Sequence, residues 1–303
     1  MKMPKLIAIV GTTASGKSSL GIDLARHYGA EIISADSRQV YRHLNLGTGK
    51  VTEEEMALVK HHLIDVLDLN EPFSMAEFQS MAYECIDGIA ARGVLPMLGG
   101  GTGLYTRSVI EGYSLTDVSP DEKLRAELED KSREELIAIL ADYGAPVPAG
   151  EVSDRRIIRM IEKLRAGYPA ENESKPRYDV LQLGITYERD ILYKRILERL
   201  DLRIKEGMID EVKEVMTLGA TPEFLEKLGL EYRYTYRYIS GQYSSFGEYH
   251  DELYKQICHF AKRQMTWFRK EKNIIWLNER GNMLEEAKGL IDSFLGDGNE
   301  QHS

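Results

Sequence analysis

Residues 11–18 read Gly11-Thr12-Thr13-Ala14-Ser15-Gly16-Lys17-Ser18, and this stretch decides the fold. It fits the pattern G-x-x-x-x-G-K-[ST], which has a mechanical meaning only between a strand and a helix. The flanks supply that context. Residues 6–10 are a short apolar run, and residues 18–28 carry apolar groups at helical spacing until Gly29, a helix-end signal. Glycines let successive backbone N–H groups curl around an anion, and the following helix turns its positive end toward it. Lys17 adds a mobile charge, and Ser18 offers a hydroxyl to Mg²⁺. The whole segment, Gly11, Thr12, Thr13, Ala14, Ser15, Gly16, Lys17 and Ser18, is therefore read as a diphosphate or nucleotide cradle.

Working outward, strand-like and helix-like pieces alternate. Strands are expected at 31–35, 61–67 and 94–98, and a helix at 74–92 capped by Ser74 and ended by Gly93. This alternation predicts an α/β fold: a P-loop NTPase-like, mostly parallel sheet flanked by helices. From about Asp117 the texture changes to charged helical patterns at 119–142 and 153–166, with loops at 143–150 and 167–177. These form a small all-helical insertion domain, 117–177, leaving 1–116 and 178–303 as the P-loop core. A strand at 180–185, helices at 188–206, 208–217 and 247–270, and a last strand at 274–277 follow, with a frayed final ten residues.

Composition narrows the class. The chain has 303 residues, 43% apolar and 29% charged, the profile of an ordinary globular protein. No run of about 18 apolar residues exists to span a membrane, and the short apolar N-terminal stretch reads as a strand rather than a secretory signal. The expected setting is the cytoplasm and the expected state a monomer. Two distant cysteines, Cys85 and Cys258, cannot build a disulfide framework or a zinc site. The net charge is -10, which alone argues against nucleic acid, yet basic residues gather at 155–165 and 255–272.

Asp36 ends the second strand. Loops at the carboxyl ends of parallel strands face the ligand crevice, so a carboxylate there can take a proton from a nucleophile arriving near the phosphates. Phosphoryl transfer uses that arrangement, and so can any transfer that releases diphosphate. No N-K-x-D guanine-reading motif occurs, which weighs against a GTPase. A P-loop kinase acting on a small alcohol or nucleotide is the alternative enzyme, and an RNA-binding module with a relic loop the alternative non-enzyme. His61 and His62 point to opposite faces of a strand and make a poor joint ligand pair.

The order GTTASGKS, DSRQVYRHLNLGTGK (36–50), HHLIDVLD (61–68), GGTGLY (100–105) and AKRQMTWFR (261–269) resembles the tRNA dimethylallyltransferases, the tRNA isopentenyltransferase family. The likeness spans nearly the whole chain. It implies that dimethylallyl diphosphate binds in the P-loop with Mg²⁺ at Ser18. An adenine next to the anticodon of a tRNA anticodon stem-loop then attacks the allylic carbon. On this likeness Asp36 is the base, while Thr102 and Arg199 support the transfer, the guanidinium fork suiting a departing diphosphate.

RNA contacts are expected at Asp36, Ser37, Arg38, Gln39 and Thr102. They are expected too at Arg125, Arg155, Arg156 and Arg159 of the insertion, and at Lys262, Arg263, Gln264, Trp267 and Arg269. Gln264 can read a base edge, and Trp267 can stack on a base or belong to the core. Three departures from the family stand out. Thr12 replaces the usual proline, the run from Asp154 to Arg159 differs, and from Gly229 the chain reads GLEYRY. Period-two tyrosines at 232, 234, 236 and 238 suggest a strand, whereas the likeness suggests a helix.

Overall fold

The computed structural model describes residues 3–115, 121–147, 152–170, 173–277 and 281–296. Contacts divide the chain into two units, one built from the residues up to Ile110 and from Arg177 on, the other from Glu111–Pro176. The sequence placed these breaks at 117 and 177. Residues 117 and 297–303, the latter most of the expected frayed end, lie outside the described residues.

The first unit begins with β1 (Lys5–Gly11), α1 (Lys17–Tyr28), β2 (Glu31–Ser34), α2 (Glu53–Leu58), β3 (His61–His62), α3 (Met75–Ala91), β4 (Pro96–Gly100) and α4 (Gly103–Glu111). The second unit holds α5 (Glu122–Glu129), α6 (Arg133–Asp142) and α7 (Asp154–Arg165). The first unit resumes with β5 (Asp179–Ile185), α8 (Arg189–Lys205), α9 (Met208–Thr217), α10 (Pro222–Leu228), α11 (Leu230–Ile239), α12 (Phe246–Phe268), β6 (Ile274–Trp276) and α13 (Met283–Gly296).

The six strands form one sheet in the order β3-β2-β4-β1-β5-β6, and every pairing is parallel. Such a sheet buries both faces. One face packs Ile7, Ile9 and Ile32 against Leu24 of α1 and Ile291 of α13. The other packs Leu6, Ile33 and Leu98 against Phe78 and Ile86 of α3. The capping box expected at Ser74 is present, its hydroxyl accepting from Glu77 N–H and the Glu77 carboxylate accepting from Ser74 N–H.

One expected element is shorter, one helical segment is divided, and one open alternative is decided. The expected strand at 61–67 is only two residues long, because Leu63 and Asp65 take left-handed backbone (φ 61° and 55°) and turn the chain out of the sheet. The described part of the helical segment 119–142, from residue 121 on, holds two helices, with Ser132 capping α6. The tyrosine alternation is helical. Tyr232 and Tyr236 are four residues apart and pack against Val40, Tyr41 and Leu44, while Tyr234 and Tyr238, again four apart, pack on the α8–α12 side with Tyr249 and Leu253. Two interleaved i,i+4 stripes facing two different cores look like period two when read along the chain.

In the second unit, α5, α6 and α7 close around Leu124, Leu128, Leu136, Leu140, Ile157 and Ile161. Glu162 is buried there and accepts from Arg125 (2.8 and 3.1 Å), Arg159 (3.0 Å) and the Asp121 N–H (3.0 Å). Arg125 and Arg159 thus have carboxylate partners inside the unit, whereas Arg155 and Arg156 stand exposed on α7.

Candidate active site

The loop between β1 and α1 has the backbone the motif demands. Gly11 (φ 157°), Ala14 (φ 58°) and Gly16 (φ 84°) all take positive φ. At Gly11 a Cβ would lie 2.4 Å from the Ile185 carbonyl oxygen, so the end of β5 fits only against glycine. The left-handed alanine costs about 1–2 kcal/mol, and Arg195 of α8 helps hold it by donating Nε–H to the Ala14 carbonyl at 2.9 Å. Thr12 Oγ1 and Ser15 Oγ are buried here without hydrogen-bond partners. Such orphans cost about 1–3 kcal/mol each and are expected where a ligand completes the site.

Lys17 donates to the Thr12 carbonyl at 2.7 Å, folding back across the loop. Burial, then the nearby Arg199, pulls its pKa down from the ordinary lysine value to about 8, with Asp36 acting the other way. Arg199 donates to Thr13 Oγ1. Burial, followed by Arg203, Arg195 and Arg38 against the opposing pull of Glu231, brings Arg199 down to about 9. Anions relieve such cation crowding. Affinity for a diphosphate ester at this loop is therefore expected to fall as pH rises through about 8. Lys17 loses its proton there in the free protein and must regain it in the complex. Calorimetry at pH 8, where Lys17 rather than Arg199 is part-deprotonated, in two buffers of different ionisation enthalpy should show net proton uptake, and Lys17→Met should remove most of it.

Asp36 follows β2, where its Oδ1 accepts the Arg38 backbone N–H at 2.9 Å in a local turn typical of aspartate. Thr102 follows β4, and its carbonyl accepts from Tyr105 and Thr106 as α4 begins. The two loops are locked together. Ala35 N–H donates to the Gly99 carbonyl at 2.8 Å, and a Cβ on Gly100 would sit 2.2 Å from the Ala35 carbonyl oxygen. Gln39 bridges the Ser34 hydroxyl (2.9 Å) and the Gly49 carbonyl (3.0 Å), tying the loop after β2 to residues 44–49. Those residues are held in turn by the Glu211 carboxylate, which accepts from the N–H groups of Asn45, Leu46 and Gly47.

These elements enclose a cavity of about 130 Å³ whose wall includes Thr13, Lys17, Ser18, Asp36, Arg38, Gln39, Thr102, Arg199 and Gln264. Five stretches far apart in sequence are thereby brought together. Arg203, Glu231 and Phe260 also line it, and none of these stood out in the sequence, because their helices show only ordinary amphipathic patterns. Arg195 carried no signal either.

Gln264, expected to meet a base edge, has both ends of its amide engaged within the protein. Its Oε1 accepts the Thr13 N–H at 2.8 Å, and its Nε2 donates to the Gly101 carbonyl at 2.9 Å. It braces the P-loop against the turn carrying Thr102. Gln264→Leu should leave the Thr13 N–H without its partner and cost about 1–3 kcal/mol, read as a lower melting temperature together with weaker diphosphate binding. Trp267 lies half-buried over Gly103, where a Cβ would come within 2.5 Å of its ring. Lys262, Arg263 and Arg269 are exposed along and just after the same helix, and Ser37 lies between Asp36 and Arg38 on the turn. Among the described residues no helix is long and apolar enough to cross a membrane.

Comparison with known proteins places this geometry. The model of the IPP transferase family matches residues 39–271. The tRNA dimethylallyltransferase 2 of Treponema denticola is 43% identical, over 90% of this chain and 94% of its own. The tRNA dimethylallyltransferase of Streptococcus agalactiae is 40% identical, over 97% and 99%. Among solved structures, the tRNA isopentenylpyrophosphate transferase of Bacillus halodurans superposes with a TM-score of 0.75 at 36% identity, covering 98% of both chains. A eukaryotic dimethylallyltransferase acting on tRNA shares the fold at a TM-score of 0.80 and 22% identity, over 97% of this chain and 80% of that one. With a family model covering most of its length and relatives matched nearly end to end, the chain belongs to the tRNA dimethylallyltransferases, the IPP transferase family.

Proposed function

We propose that this protein transfers the dimethylallyl group of dimethylallyl diphosphate to the exocyclic N6 of the tRNA adenine 3′-adjacent to the anticodon. The observation that carries the reading is one cavity lined by the P-loop's Lys17 and Ser18 together with Arg199, Asp36 and Thr102. The cationic side holds the diphosphate and offsets the charge it gains on leaving. The N6 nitrogen bonds to the allylic C1, the C1–O bond breaks with its electron pair going to diphosphate, and Asp36 takes the N6 proton. An adenine in a single-stranded loop is the base most easily unstacked into such a pocket. The P-loop kinase alternative loses its ground, because the full-length relatives are prenyltransferases by name.

The site also fits Mg²⁺. Ser18, next to Lys17, lines the cavity and has a hydroxyl to offer, and Mg²⁺ is commonly held by one or two protein oxygens, substrate phosphates and water. Among the described residues no group of three or more His, Cys, Asp or Glu could hold a metal by itself, so the cation's remaining ligands would come from the diphosphate and water. When bound it would offset charge on the leaving group.

The test is direct. Purified protein, dimethylallyl diphosphate, Mg²⁺ and an anticodon stem-loop RNA are mixed and the RNA is weighed. A gain of one C5H8 unit, absent when the target adenine is replaced, is the expected result. Unchanged RNA mass with ATP turnover would refute the reading.

A further inference from the structure

Arg203 and Glu231 have a geometry that the transfer chemistry alone does not account for. Glu231 is a buried carboxylate facing an anion site, which would ordinarily repel the substrate. Its oxygens sit between two guanidiniums, 3.4 Å from Arg38 and 3.6 Å from Arg203. Both distances exceed the 2.7–2.9 Å of a tight charged hydrogen bond, so the pairs are loosely held. Each arginine is seated on a glycine. A Cβ on Gly49 would fall 1.7 Å from an Arg203 nitrogen, and one on Gly229 would fall 2.6 Å from an Arg38 nitrogen. Side chains larger than hydrogen at these two places would push the guanidiniums away.

Arg203 lies one helical turn after Arg199 on α8, so the two share a face. Lys17, Ser18, Arg199 and Arg203 together line both the cavity described above and an adjoining one of about 420 Å³. In the first cavity four cationic side chains, Lys17, Arg38, Arg199 and Arg203, face two carboxylates, Asp36 and Glu231. The wall is short of negative charge until an anion enters. Crowding by Arg203 is also one of the causes that depress Arg199.

We propose that Arg203 is a second guanidinium ligand of the substrate diphosphate, and that Glu231 is the internal counter-anion holding Arg203 and Arg38 in place while the site is empty. On binding, the diphosphate shares Arg203 with Glu231, and the fork of the guanidinium has donors for both. No covalent step is involved. This rests on the P-loop being the seat of the diphosphate.

The experiment uses inorganic pyrophosphate with Mg²⁺ as probe on the full chain. Arg203→Met keeps a side chain of similar reach over Gly49 but removes the charge. Its pyrophosphate Kd, read by calorimetry, should rise about ten- to a hundredfold, the size of a lost charged hydrogen bond. The KM for dimethylallyl diphosphate should rise with it, stem-loop RNA affinity should hold, and Arg203→Lys should recover part of the loss. Glu231→Gln leaves the arginines uncompensated. The rise in melting temperature produced by saturating pyrophosphate should therefore be larger in this variant than in the wild type.

A Kd within twofold of wild type in Arg203→Met would overturn the ligand assignment. Equal pyrophosphate-induced stabilisation of Glu231→Gln and wild type would overturn the counter-anion role. Failure of the underlying reading looks different, because the wild type itself would then neither bind pyrophosphate nor add the five-carbon unit to RNA.

Discussion

Asp36→Asn should lower the rate of dimethylallyl transfer by about 10²–10⁴-fold, the usual contribution of a positioned general base, while RNA affinity stays near that of the wild type. Asparagine keeps the Oδ1 acceptor that now receives the Arg38 N–H, so the turn after β2 survives. On the proposed mechanism it loses only the ability to take a proton from N6. An exocyclic adenine amine is a weak nucleophile, since its lone pair is drawn into the ring, and it becomes effective as its proton is removed. Single-turnover transfer followed by the mass of the RNA gives the rate, and fluorescence anisotropy with labelled stem-loop gives the affinity. Parallel losses in both would make Asp36 a residue that shapes the RNA site rather than one that moves a proton.

The second large effect is expected at a position with no functional group. Gly100→Ala places a methyl 2.2 Å from the Ala35 carbonyl oxygen, 2.6 Å from its carbonyl carbon and 2.7 Å from its Cβ. Most of these obstacles are backbone, so relief requires β2 and β4 to part, breaking the Ala35–Gly99 rung. The overpacking itself should cost about 1–3 kcal/mol or more, visible in the melting temperature. Asp36 follows directly on the displaced Ala35, and Thr102 lies two residues beyond Gly100. A shift of about 1 Å between them should cut transfer roughly 100-fold, beyond what the loss of stability explains. Gly88→Ala is the control. It sits exposed in α3 with nothing within 4 Å of its Cβ position, and there alanine should leave activity unchanged and raise stability by about 0.5–1 kcal/mol.

Gln264 and Trp267 show how far a reading of residue types reaches. In one dimension, a glutamine and a tryptophan beside two basic residues look like a nucleic-acid surface. On α12 they are sorted by helical phase. Lys262, Arg263 and Arg269 point outward, Gln264 is buried against the P-loop, and Trp267 rests on Gly103. The insertion behaves in the same way, with Arg125 and Arg159 sharing a buried carboxylate while Arg155 and Arg156 stay exposed. Net charge and residue type are properties of a segment, whereas partnership is a property of the packed unit.

The chain by itself determined the P-loop, the parallel sheet around it, the helical character of the inserted segment and the placing of Asp36 at a strand's carboxyl end. Each of these follows from local causes: glycine at positions of positive φ, apolar periodicity, and a polar residue where a strand must stop. Only the tertiary structure decided that Arg195, Arg203 and Glu231 belong to the site, that Gln264 is a brace, and that the tyrosines of α11 divide between two cores. Those facts depend on which faces of α8, α11 and α12 meet the loops after β1, β2 and β4, contacts spanning up to 251 residues of sequence in the case of Gln264 and Thr13. Local patterns set the elements through short-range sterics, but a buried charge acquires its role only from the partner that packing brings to it.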